Sequence, residues 1–169
     1  MTQELELLGD QQFELLTKFR HRCKSLLNAF KENPCLDIQS VGLEELNAQL
    51  NYIRQEKAYL LPFYESYRLP VLSYIYYKKQ DYSESIRFME AAIENEIRLS
   101  KHIPLLIFRL QEFRLNLIKV ARLIQNEEII NQQTKLLQKF MGNAADAFHS
   151  EIDTYFFEET KIMILSRLA

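Results

Sequence analysis

The stretch SYRLPVLSYIYYKKQDYSESIRFMEAAIENEIRL, residues 66–99, decides the fold. It reads as two amphipathic helices joined by a tight polar turn around Gln80 and Asp81. In the second helix Ile86, Met89, Ile93 and Ile97 recur at steps of three and four and point toward a core. Glu84, Arg87, Glu90, Glu94 and Arg98 occupy the solvated side, with Glu94 placed four residues before Arg98 for a weak ion pair.

Around this hairpin the chain has the composition of a helical globular protein. Its 169 residues are 47% hydrophobic and 26% charged, enough to bury a core as a single domain, 1–169, without staples. Only 3 Gly and 4 Pro leave few places to turn sharply, which favours long helices over many short strands. The net charge of -2 supplies no general attraction to nucleic acid. Cys23 and Cys35 are too few and too irregularly placed for a disulfide framework or a zinc site, and no cofactor is expected. The first ten residues carry acids rather than a basic start and an apolar run, so no signal peptide is read there. These features predict a cytoplasmic chain.

Before the hairpin, Phe13, Leu16, Phe19, Cys23, Leu26 and Phe30 predict a helix that starts with Asp10 as its N-cap and stops before Pro34. Residues 32–42, ENPCLDIQSVG, are the main loop. A second helix runs from about Leu43, with Leu46, Leu50, Ile53 and then Lys57 or Tyr59 on its inner side. Pro62 ends or kinks it, and Pro70 either opens a new helix or kinks a longer one. Eight of the nine tyrosines lie between Tyr52 and Tyr82. A tyrosine ring is apolar but its hydroxyl wants a partner, so the cluster suits either a half-exposed peptide groove or interhelical packing with hydroxyls at the rim.

After the hairpin, Leu106, Leu110, Phe113, Leu117, Val120 and Ile124 predict a helix apolar on more than one side. Its charged positions are four bases (Arg109, Arg114, Lys119, Arg122) and one acid, Glu112, a pattern a bilayer rejects, so no membrane insertion is expected. Arg109 and Arg114 are its candidate contacts for an anion or ligand. Gln125-Asn126-Glu127 marks the next turn, and Ile129, Ile130, Leu136, Leu137 and Phe140 mark the returning helix, ended by Gly142-Asn143. This pair reads as a stretched copy of the first hairpin that repeats neither its length nor its turn. A last helix, 144–168, shows Phe148, Ile152, Tyr155, Phe156, Met163 and Ile164, suited to cap the stack or to form a homodimer. Asp146, His149 and Asp153 share a face of it, a spacing open to metal ligation but without the Glu-x-x-His motifs of a di-iron bundle. No phosphate loop, HExxH or nucleophile motif occurs, and the chain is read as not an enzyme.

Residues 66–99 resemble a tetratricopeptide repeat, whose length is about 34 residues. The resemblance rests on Leu72, Tyr76, Tyr77 and Lys78 in the first helix, the Asp81-Tyr82 turn, and Glu84, Ile86 and Ala92 in the second. Leu69, Ser73, Gln80, Ser85 and Ile97 stand where the family usually has an aromatic, a small residue, glycine, alanine and proline. The resemblance implies an all-α array of antiparallel hairpins, or an irregular bundle, of about six to seven helices. It also implies a concave face built from Tyr67, Val71, Tyr74, Tyr77 and Lys78 that binds a protein or peptide. Tyr74 takes the place of the carboxylate-gripping asparagine, so an aromatic groove for an amphipathic peptide or helix is the expected form. The chain is thus read as an adaptor, chaperone or regulatory subunit. The alternative is a helical sensory or regulatory domain that binds a small ligand or peptide, with its pocket near Arg109 or Arg114, and dimerises.

Overall fold

The computed structural model describes residues 8–37, 42–142 and 150–169. Among the described residues seven α-helices follow one another, α1 (Asp10–Glu32), α2 (Leu43–Glu56), α3 (Leu61–Lys78), α4 (Tyr82–Ser100), α5 (Leu106–Leu123), α6 (Glu127–Gly142) and α7 (Glu151–Leu168), and no strand occurs. The all-α expectation holds. Two compact units divide the chain between Asn95 and Glu96.

In the first unit α1 buries Leu16, Phe19, Cys23, Leu26 and Phe30, steps of three and four that make one stripe. Gly9, not Asp10, is its N-cap, and Asp10 is its first residue. The helix stops at Glu32 because Asn33 precedes Pro34 and takes the extended conformation this imposes. Leu46, Leu50 and Ile53 of α2 join the same core. The expected continuation through Lys57 or Tyr59 does not occur. Helix α2 ends at Glu56, a short 3-10 turn (Ala58–Leu60) sends Leu60 into the core instead, and Tyr59 is left 72% exposed. Pro62 follows in the first turn of α3, where its missing N–H costs nothing, and Pro70 lies inside the helix, which continues through it.

The α3–α4 hairpin is held by a reciprocal pair of buried serines. Ser73 Oγ donates to the Ser85 carbonyl at 2.8 Å, Ser85 Oγ donates to the Ser73 carbonyl at 2.8 Å, and the two hydroxyls lie 3.2 Å apart. Two small side chains let the backbones approach, and each hydroxyl is satisfied although both residues are buried. Tyr76 stacks on Phe88 at 5.4 Å, and Asn95 Nδ2 donates to the Pro62 carbonyl at 2.8 Å, fixing the register at the far end.

The turn of this hairpin recurs 45 residues later, against the expectation that the next hairpin would not repeat it. The Asp81 N–H reaches back to the Tyr76 carbonyl (3.0 Å) and the Gln80 N–H to that of Tyr77 (3.1 Å). Asn126 and Gln125 do the same to Ala121 (3.0 Å) and Arg122 (3.2 Å). Both pairs form the two bonds of a Schellman cap. Gln80 (φ 61°) and Gln125 (φ 55°) occupy the left-handed position that favours glycine. The following side chain then starts the next helix: Asp81 Oδ1 accepts from the Glu84 N–H at 3.2 Å and Asn126 Oδ1 from the Ile129 N–H at 3.1 Å. Sequence comparison hides this repeat because its conformation is carried by glutamine.

In the second unit α5 packs on α6 and α7 around Phe108, Leu115, Ile118, Leu137, Phe140, Phe157 and Ile164. Ser150 caps α7 by accepting the Asp153 N–H at 3.0 Å, so this helix starts at Glu151. Residues 143–149, including Phe148, Asp146 and His149, lie outside the described residues. Arg122 donates to the last carbonyls of α7, Arg167 at 3.5 Å and Leu168 at 3.3 Å, where the helix dipole favours a cation.

Candidate functional site

The five residues of the expected concave face stand in different surroundings. Helix α1 lies along α3: Phe19 meets Tyr64 edge-on at 4.9 Å, the Arg20 guanidinium sits 5.6 Å from the Tyr67 ring centre, and Lys79 Nζ 5.8 Å from that of Phe30. Val71 is therefore a core residue, and Tyr67 and Tyr74 pack against that core while half-buried. At the C-terminal end of α3 the rings gather, with Tyr74 and Tyr77 6.2 Å apart and Tyr77 and Tyr82 6.2 Å apart. Lys78 Nζ stands over the first two rings at 5.6 and 5.9 Å. The structure thus brings together Tyr74, Tyr77 and Lys78, adds Tyr82, and seats Val71 in the core.

Arg109 and Arg114, the candidate anion contacts, are both engaged by the protein. Arg109 Nη1 lies 3.6 Å from Oε1 of Glu96, a fully buried carboxylate, and its guanidinium stacks 5.0 Å from the Phe113 ring centre. Arg114 is buried and donates from Nη1 to Gln133 Oε1 at 2.7 Å. Burial pushes the Arg114 pKa down from its ordinary value. No carboxylate stands within ion-pair distance of Arg114 among the described residues, so the cost of burying its charge is offset chiefly by the Gln133 hydrogen bond.

Beside Arg109 the second unit carries a cleft of about 470 Å³ between α5 with its preceding turn and α7. Its apolar walls are Leu105, Phe108, Phe156 and Met163, and Glu112, Glu159, Thr160 and Arg109 complete it. Phe108 and Phe156 face each other at 5.8 Å, and Tyr155 meets Phe156 at 5.7 Å. Phe156 is 42% exposed. On α7, Ile152, Tyr155, Ile162 and Leu165 are each more than half exposed, and of these Ile152 lies one turn before Phe156 on the same side while Tyr155 touches its ring. Of the apolar residues read on this helix, Ile164 is buried, together with Phe157 and Thr160, whereas Ile152, Tyr155 and Phe156 face outward. Its apolar residues go all the way round, so periodicity could not choose the inner face. That surplus of apolar residues was the available signal for this site. A smaller cavity of about 380 Å³ lies between α1 and α2, lined by His21, Arg22, Glu45 and the sides of both helices.

No protein-family profile, no curated protein and no solved structure matches the chain. No helix among the described residues is long and apolar enough to cross a membrane. Among the same residues no group of three or more His, Cys, Asp or Glu is arranged to hold a metal ion.

Proposed function

We propose that the chain is a non-catalytic interaction module of the cytoplasm, built from tetratricopeptide-like hairpins, that binds a peptide or helix of another protein in an aromatic groove. The observation that carries this reading is the cleft on α5 and α7, an aromatic groove with one ring buried and one half-exposed and with apolar surface running on beyond it. A partly exposed apolar cleft of this kind is what interaction sites present. The Tyr74, Tyr77, Lys78 and Tyr82 cluster is a second, more enclosed surface for the same role. A regulatory domain that binds a small ligand is the second reading, supported by the position of the cleft beside Arg109.

Selection of a displayed random-peptide library on the whole chain tests the proposal. Peptides that bind the wild type and are lost on Phe156→Ala support the groove. Failure to enrich any peptide, together with thermal stabilisation by members of a small-molecule library, supports the second reading.

A further inference from the structure

The cleft has a sign as well as a shape. Among its lining residues Arg109 is the single base, and its charge is balanced by Glu96. Glu112 and Glu159, both exposed at the rim, make no ion pair or hydrogen bond within the described residues. Over its whole length, Glu159 included, α7 carries four acids, Glu151, Asp153, Glu158 and Glu159, against two bases, Lys161 and Arg167. Arg167 is already committed, donating to Asn116 Oδ1 at 2.7 Å. With Arg109 held by Glu96, the charge left without a partner at the cleft is negative.

We propose that the cleft docks a basic amphipathic segment of a partner protein. A bulky apolar side chain of the partner seats among Leu105, Phe108, Phe156 and Met163, and neighbouring lysines or arginines meet Glu112 and Glu159. This rests on the interaction reading and adds the chemistry of the partner. Charge complementarity selects the occupant. A second copy of α7 brings the same excess of acids to the contact, and an acidic surface repels nucleic acid and anionic lipid. Exposed Ile152, one turn before Phe156 on the same side of α7, and Tyr155, in contact with the Phe156 ring, continue the apolar surface past the cleft, as suits a helix laid along α7.

The test repeats the peptide selection in parallel on wild type, Phe156→Ala and Glu112→Lys/Glu159→Lys, with circular dichroism confirming the fold of each. Glu112→Gln/Glu159→Gln serves as the gentler charge variant. The winning wild-type peptide is then titrated by fluorescence anisotropy at low and high salt. The expected winners place Lys or Arg within a helical turn of an aromatic or aliphatic anchor. Their affinity falls roughly thirtyfold on Phe156→Ala, as for an anchor pocket, and roughly tenfold on charge reversal. The charge effect shrinks at high salt, and the reversed variant selects acidic peptides. Neutral or acidic winners that still need Phe156 would overturn the basic partner while leaving the interaction reading intact. Winners indifferent to Phe156, or none, would overturn both. A wild-type dimer in solution that Phe156→Glu dissociates would assign the cleft to a second copy and also overturn the proposal.

Discussion

The two units treat their aromatic helices in opposite ways. In the first, α3 carries the tyrosines, and α1 lies along them so that Tyr64, Val71 and Ile75 become core and Tyr67 and Tyr74 become its margin. In the second, α5 and α7 bring Phe108 and Phe156 together and leave Phe156 42% exposed among the described residues. Aromatic density in sequence therefore marks packing in one unit and an accessible groove in the other. What separates the two cases is α1 lying along α3, not the aromatic residues themselves.

Stability measurements can break this contrast. By urea unfolding, Phe19→Ala should cost about 3–5 kcal/mol, because it empties a fully buried site against Tyr64. Phe156→Ala should stay within about 1 kcal/mol of wild type, as its ring is already half in water. Equal costs would mean that the outward face of α7 is core. Smaller, about 2–3 kcal/mol, is the expected loss on Gln133→Leu, which leaves the Arg114 guanidinium buried without its acceptor. The double variant Arg114→Met/Gln133→Leu should return to within about 1 kcal/mol of wild type or exceed it. A double variant as unstable as the single one would show that Arg114 serves something other than that hydrogen bond.

Tyr64→Phe sharpens the account of the sealed unit. The Tyr64 hydroxyl is buried with no hydrogen-bond partner among the described residues, and burial raises its pKa. Removing it should raise stability by about 1 kcal/mol; a loss would reveal a partner for the hydroxyl. Gln80→Gly and Gln125→Gly, compared by thermal unfolding, should each gain up to about 1 kcal/mol and by similar amounts, since both relieve the same left-handed backbone position.

How much of this was legible in the sequence follows from what each residue type constrains. Helix α1 was readable in register because its stripe is narrow, from Leu16 to Phe30, and Pro34 ends it. The Ser73 and Ser85 positions stood out as departures from small residues, but their reciprocal bonding needs three dimensions to be seen. Val71 read as groove because the resemblance to a tetratricopeptide repeat implies a concave face on the inner side of the first helix. Only the return of α1 onto α3 turns that face into core, and contacts across so long a separation leave no local pattern. The cleft escaped for the complementary reason: α7 offers apolar residues on every side, and Glu112 and Glu159 are ordinary surface acids until α5 and α7 bring them to one rim.

The smallest effect expected is electrostatic. The hydrogen bond from Arg87 to Glu84 in the first turn of α4 holds the Glu84 carboxyl below its ordinary value of 4.5. Its folded pKa is depressed, so its contribution is complete above that value and fades as pH falls through the folded pKa. Arg87→Ala should flatten the acid limb of the stability profile slightly, as read by urea unfolding across the acid range.

The direct test of the contrast between the units is a side-by-side affinity measurement. A peptide selected on the whole chain is titrated against wild type, Phe156→Ala and Tyr74→Ala/Tyr77→Ala. Affinity lost in the phenylalanine variant and kept in the tyrosine pair is the predicted result. Affinity kept without Phe156 and lost without the tyrosines would contradict the account and return the binding surface to α3.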